Sequence, residues 1–302
     1  MPPTLHVSCA VESDYVAHSA AMLHSVLRHS GSLAVHVHYL PSPRVPQGDR
    51  ELLAGMVTGL GGQIDFHEIT DERVGALPRS TAFPPSVWRR IFLPELIPNV
   101  DRVLYLDADT IAMDDLGPLW ATDLGEGQLG AVTNVFQHDH RHHPAALGLA
   151  GPELYLNSGV LLMDLAQMRR RGTSAALRDV ALERSSALGW VDQDALSLVL
   201  GEERVALHPR WNCMNSLYAF DSSEEVFGRE QRQEAIARPG IRHFEGPGRN
   251  KPWHADCPFP LRERYFEHRA QTPWPEVELI RDPAPAPAPS GLSRRLRRWL
   301  RP

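Results

Sequence analysis

RVLYLDADTIAMDDL, residues 102–116, carries four apolar or aromatic residues into two carboxylates, Asp107 and Asp109, with only Ala108 between them. Such a run reads as a buried strand whose end opens onto a cleft, because side chains at a strand's terminus stop being covered by the core. In extended backbone, residues i and i+2 point the same way. The spacing therefore predicts that Asp107 and Asp109 approach one hard divalent cation, whose charge relieves their mutual repulsion. Mn²⁺, or Mg²⁺ in its place, would in turn hold a diphosphate. Turn-forming aspartates closing a strand would give the same three letters.

Outward from this stretch, strand-like runs occur at residues 5–10, 34–40, 63–67, 102–107, 129–133 and 155–163. Helical patterns fall at 15–28, 51–60, 87–96 and 175–184. The alternation predicts an α/β domain with a mostly parallel sheet flanked by helices and ligands at the carboxyl ends of the strands. The chain has 302 residues, 42% of them hydrophobic, enough for one large core over residues 1–280. Residues 281–290 form a Pro/Ala-rich linker. The last thirteen residues hold five arginines and no acid, leaving a net −11 on the rest of a chain whose total is −6. Residues 291–302 set leucines and Trp299 against arginines, the pattern of a short basic amphipathic helix for an anionic membrane surface. Nothing points to nucleic acid as a partner.

Three scattered cysteines, Cys9, Cys213 and Cys257, make no disulfide framework and no CxxC pair. The N-terminus enters the first strand directly, and no stretch has the length of a membrane span. The localisation expected from these features is cytoplasmic, peripheral on the inner face of the plasma membrane.

A second segment lies far downstream. In IRHFEGPGRNKPW, residues 241–253, His243 ends a short strand and a glycine-rich loop follows. Lys251, the sole lysine beside thirty arginines, stands in that loop. Glycines let backbone N–H groups approach phosphate, and an ammonium adds a point charge.

Together with VSCAVESDY, LYLNSGVLLMDL and WVDQDAL, these motifs resemble, in order over about residues 5–260, the family 8 glycosyltransferases. These are retaining enzymes of the GT-A fold, and the likeness is greatest to the bacterial branch that adds galactose or glucose to lipopolysaccharide. The resemblance implies metal-dependent transfer of a hexose from a UDP-sugar to a glycan or glycolipid acceptor. It makes Asp107, Asp109 and His243 the ligands of Mn²⁺, and Gly246 and Lys251 the diphosphate loop. Ala10, Glu12 and Asp14 fall where the family contacts uracil, although the family more often carries Asp and Asn there. Arg90, Ala108 and Asn157 would meet the donor, and Asp192 the sugar hydroxyls. Gln193 would lie on the sugar face opposite UDP. Asp192, Gln193 and Lys251 thus form the expected catalytic set, acting by a front-face route because an amide is a poor nucleophile.

WVDQDAL also fits a helix start in which Asp192 or Asp194 satisfies free backbone N–H groups. Arg89 is expected on the surface. Asn134 stands where the family places an acceptor-contacting aspartate. His138, His140, His142 and His143 are read as a flap or acceptor-facing loop ahead of a zinc site, and Trp211, Asn212, Asn215 and Tyr218 as a lining of the acceptor pocket or ordinary core. Two other functions fit parts of the pattern: a haloacid-dehalogenase-like phosphatase, with the first aspartate as nucleophile, and a non-catalytic nucleotide-sugar binder.

Overall fold

The computed structural model describes residues 3–81 and 83–282. The membrane-helix reading of 291–302 and all of the linker but Arg281 and Asp282 lie outside them.

Among the described residues, ten strands form two sheets. β1 (Thr4–Val11), β2 (Ala34–Pro41), β3 (Gln63–Phe66), β4 (Arg102–Leu106), β6 (Leu129–Thr133), β7 (Leu156–Asp164) and β8 (Arg204–Ala206) make a seven-stranded sheet in the order β3-β2-β1-β4-β7-β6-β8. It is parallel except for β7, which runs antiparallel to both neighbours. β5 (Thr110–Ala112), β9 (Cys213–Met214) and β10 (Ile241–His243) make a small second sheet. This is the mixed α/β architecture expected, as one domain.

Strand periodicity explains the layering. Val7, Cys9, Val35, Val37 and Tyr39 face α1 (Val16–Arg28) and α2 (Gln47–Gly59) in one cluster. Val103, Tyr105, Leu129, Ala131, Leu161 and Met163 face the helices Leu165–Arg171, Thr173–Glu183 and Val191–Leu200 in another. Cys9, Cys213 and Cys257 are all free and buried. Among the described residues no helix is long and apolar enough to cross a membrane.

Strand order reverses about β1, which lies between β2 and β4. A crevice opens where neighbouring connections leave in opposite directions, so the ends of β1 and β4 bring Ala10–Asp14 and Asp107 to one cleft. Two local expectations change. Residues 87–96 are a 3₁₀ helix over Pro85–Phe92 followed by a single α turn at Leu93–Leu96. Two prolines open that segment and a third, Pro94, lacks the N–H that an α helix would use. Residues 107–109 are a tight turn rather than extended chain: the Thr110 amide and hydroxyl both donate to the Asp107 carbonyl, at 3.1 and 2.8 Å. The carboxylates therefore converge because the chain reverses from the large sheet into the small one.

Candidate active site

The small sheet assembles the cleft's charged centre. β5 pairs antiparallel with β10, setting His243 opposite Thr110, and the Phe244 amide donates to the Asp109 carbonyl at 3.0 Å. Residues distant in sequence thus meet: donor atoms of Asp107, Asp109 and His243 lie within 4.8 Å of one another. His243 Nε2 is 3.4 Å from Asp109 Oδ1. Two carboxylates and an imidazole suit an ion such as Mn²⁺, which accepts oxygen and nitrogen together.

His243 is oriented by a chain of amides. Its Nδ1–H donates to Asn212 Oδ1 at 2.8 Å, Asn212 Nδ2 donates to Asn157 Oδ1 at 2.8 Å, and Asn157 Nδ2 donates to Asn134 Oδ1 at 3.1 Å. With Nδ1 carrying the proton, Nε2 keeps its lone pair toward Asp109. This outer support fixes the tautomer a ligand needs. Asn212, wholly buried, is therefore a positioning residue rather than an acceptor contact. Trp211 and Asn215 are buried too, and Asn215 bonds Glu245 and Arg242. Asn212→Ala is expected to weaken binding of a divalent ion at Asp107, Asp109 and His243 by on the order of 10–100-fold, while the fold is kept. Calorimetric titration with Mn²⁺ beside circular dichroism checks this, and Asn212→Asp, which keeps an acceptor for Nδ1–H, should recover part of the loss.

Gly159 makes room for this ring. A Cβ on Gly159 would lie 2.8 Å from His243 Nδ1 and 2.9 Å from Nε2, nearer than side chains tolerate. Gly246, at φ 88°, is in the left-handed region where a side chain is strained.

Lys251 donates to Asp109 Oδ2 and, at 3.2 Å, to the Phe244 carbonyl. Burial would raise the Asp109 pKa, but Lys251 and His243 hold it well below the usual carboxylate range. Burial pulls Lys251 down, yet Asp109 keeps it above an ordinary lysine. The loop bearing Lys251 is anchored by Trp253, whose ring stacks on His18 at 3.5 Å and meets Tyr15 edge-on at 5.6 Å.

Arg90, 3% exposed, bridges two carboxylates. It donates to Asp107 Oδ1 at 2.9 Å and lies 3.2 Å from Asp192 Oδ2, with its guanidinium over the Tyr105 ring at 4.3 Å. Asp192 is buried, and Oδ2 lacks a hydrogen-bond partner of good alignment despite the nearby Arg90. Burial pushes its pKa up to about 6, partly offset by Arg90 and reinforced by Asp107. A buried carboxylate with a spare lone pair can accept from a ligand hydroxyl.

Gln193 is committed through both ends of its amide: Oε1 accepts from the Ser158 amide at 3.0 Å and Nε2 donates to the Tyr155 hydroxyl at 3.3 Å. Asp194 is the residue satisfying backbone groups. It accepts from the Gly189 and Trp190 amides, at 2.7 and 3.0 Å, and from Tyr155 and His143. His143 is thereby structural, whereas His138, His140 and His142 are exposed, and among the described residues none of the four belongs to a group of metal-type ligands. Arg89 corrects the surface expectation. It is 2% exposed and donates to the Val11 carbonyl at 3.3 Å, with Glu12 3.7 Å away. Ala10 ends β1 half-buried, Glu12 is half-buried, Asp14 is exposed, and Ala108 is buried between the two aspartates.

Comparison with known proteins gives this cleft its context. General stress protein A of Bacillus subtilis (strain 168) is 25% identical over 275 residues, covering 89% of this chain and 94% of its own. Lipopolysaccharide glucosyltransferase WaaO of Escherichia coli (strain K12) is 26% identical over 246 residues, 77% of this chain and 68% of its own. The crystal structure of the galactosyltransferase LgtC in complex with donor and acceptor sugar analogues matches with a TM-score of 0.79 at 28% identity, covering 89% of this chain and 96% of that one. The sequence profile of glycosyl transferase family 8 spans residues 6–257, and with that match the chain belongs to this family of GT-A glycosyltransferases.

Proposed function

We propose that the protein transfers a hexose, galactose or glucose, from a UDP-sugar to a glycan or glycolipid acceptor with retention of anomeric configuration. Asp107, Asp109 and His243 would hold the Mn²⁺. The observation that carries this reading is their convergence within 4.8 Å, beside the lone lysine of the chain. When bound, the ion neutralises diphosphate charge and so favours departure of the nucleotide. Likeness to LgtC, solved with donor and acceptor analogues, supports a sugar-donor cleft, and likeness to WaaO supports a lipopolysaccharide-type acceptor.

The chain's own residues do the rest. Lys251 turns its ammonium from Asp109 to a phosphate oxygen as the nucleotide leaves. Asp192 accepts from the sugar hydroxyls. Gln193, held by Ser158 and Tyr155, presents a neutral amide to the ring and fixes its seat. Asp107, Asp109 and Asp192 each pair with a cation already, which disfavours any of them as a nucleophile. A front-face displacement fits better, with the acceptor hydroxyl attacking from the side UDP leaves and passing its proton to the departing phosphate. Positioning and charge supply the acceleration. Ala10, Glu12 and Asp14 would flank the uracil. The phosphatase alternative has nothing to support it once residues 6–257 match a glycosyltransferase family, and a bound-only role is disfavoured by the intact ligand set and lysine.

The test is a screen of UDP-Gal, UDP-Glc, UDP-GlcNAc and GDP-Man for Mn²⁺-dependent nucleotide release. Release from a UDP-hexose supports the proposal; release from none of them at saturating Mn²⁺, with tight UDP-sugar binding, would favour the binder. Asp192 adds a pH dependence. It binds sugar hydroxyls best when charged, and its raised pKa leaves it charged only above about 6. The expected kcat/KM therefore falls about tenfold per unit as pH drops below 6, the limb read from a pH profile at saturating metal.

For the C-terminus we propose the anionic-membrane contact, placing the protein peripherally on the inner leaflet. Deleting residues 283–302 should leave transfer to a soluble acceptor intact and weaken binding to phosphatidylglycerol vesicles. Equal vesicle binding by both forms excludes the contact.

A further inference from the structure

Five ligand-type side chains meet away from the cleft. His6 of β1, His36 and His38 of β2, Asp65 of β3 and His67 just beyond it share the face of the main sheet opposite α1 and α2. Parallel register sets His6 beside His36 and His38 beside Asp65, and alternation along each strand turns all five the same way. His6 stands four residues before Ala10, about 13 Å along the strand from the end that faces the cleft.

Two of the contacts are nitrogen to nitrogen. His6 Nδ1 is 3.0 Å from His38 Nε2, and His38 Nδ1 is 3.1 Å from His67 Nε2. His36 Nε2 is 2.8 Å from Asp65 Oδ2, and the His36 and His38 rings stack at 4.5 Å. One donor atom from each of His6, His36 and His38 lies within 4.8 Å of the other two. His38 is buried, yet both its nitrogens address other imidazoles rather than backbone. A sheet face needing only to be covered is filled at less cost by apolar side chains.

We propose that His6, His36 and His38 bind a nitrogen-preferring divalent cation of the Zn²⁺ class, with Asp65 and His67 as the outer partners that orient the rings. Tetrahedral zinc with ~2.0–2.1 Å bonds sets its ligand nitrogens about 3.3 Å apart, close to the His6–His38 separation. His36 ligates through Nδ1 while Nε2–H donates to Asp65. His38 ligates through Nε2 while Nδ1–H donates to His67. Such paired outer contacts accompany metal-binding imidazoles. The ion joins β1 to β2 and, through Asp65 and His67, restrains the edge strand β3. The three-imidazole set and the Asp107, Asp109 and His243 set share no residue, so the two sites fill independently.

The experiment uses the untagged full chain, stripped of metal and titrated calorimetrically with Zn²⁺, beside Asp109→Asn and His36→Gln. The expected result is one Zn²⁺ site retained at wild-type affinity in Asp109→Asn and weakened on the order of 100-fold in His36→Gln. Zn²⁺ should also raise the melting temperature of Asp109→Asn and not of the double variant Asp109→Asn/His36→Gln, while Mn²⁺-supported activity is unchanged in His36→Gln. Wild-type affinity in His36→Gln, no Zn²⁺ bound by the wild type, or loss of all Zn²⁺ in Asp109→Asn overturns the proposal. Should His36→Gln fail to fold, His6→Gln reads the same contrast.

Discussion

Asp109→Asn is expected to lower metal-dependent kcat/KM by on the order of 10³-fold, because one negative charge at the ion is lost with almost no change in volume. The effect should be larger than for Asp107→Asn. Asp109 is buried between Lys251 and His243, whereas Asp107 is half-buried and shares its charge with Arg90. Asparagine also leaves the Lys251 ammonium without its anion, so some stability goes with the charge. Circular dichroism at the assay temperature separates this from unfolding. A folded variant within tenfold of wild-type activity contradicts the assignment of Asp109 to the ion.

Gly159→Ala is the second large effect, and it touches no ligand chemically. The added methyl would occupy space that the His243 ring fills, 2.8 Å from Nδ1 and 2.9 Å from Nε2. Gly159 lies in the interior of β7, and its carbonyl accepts from the Asp107 amide at 2.9 Å. The backbone cannot retreat without dragging Asp107 along. The ring must turn, breaking its bond to Asn212, and overpacking of this kind costs about 1–3 kcal/mol. Expected are a lowered melting temperature and activity reduced about 100-fold or more. Adding His243→Ala to Gly159→Ala should restore the melting temperature but not the activity, since the clash disappears together with the ligand. Full activity in Gly159→Ala would mean that His243 works from some other position.

Much of the frame was legible in the sequence because its strands are long. β4 and β6 are nearly continuous apolar runs, β7 becomes one after Gly159, and β1 and β2 alternate core residues with histidine or serine, each a pattern that reads as strand. β5, β8 and β9 have three residues or fewer, too short for any periodicity to show. They matter all the same, because β5 delivers His243 to Asp109. The site divides in the same way. Asp107 and Asp109 announce themselves at a strand end, His243 and Lys251 stand out around a glycine-rich loop, and the pairing of the two segments came only from the resemblance.

The supports were hidden because they act through shape. Nothing in RWNCMN distinguishes Asn212, which orients His243, from Asn215, which serves Arg242. Arg89 and Arg90 are neighbours of one type, and only the 3₁₀ path over Pro85–Phe92 turns both inward, one toward Glu12 and the other toward Asp107. Asp194 looked interchangeable with Asp192, yet it is spent on two backbone amides, a tyrosine and a histidine, while Asp192 keeps a buried oxygen without a hydrogen bond, 3.2 Å from Arg90.

The central claim is that a single divalent ion is held jointly by the strand-end aspartates and the imidazole of β10. A crystal of the full chain with Mn²⁺ and UDP, measured at the manganese absorption edge, tests it directly. The account predicts one anomalous peak at about 2.0–2.3 Å from an oxygen of Asp107, an oxygen of Asp109 and Nε2 of His243. A peak elsewhere, or UDP bound with the three side chains apart and no ion among them, would contradict it.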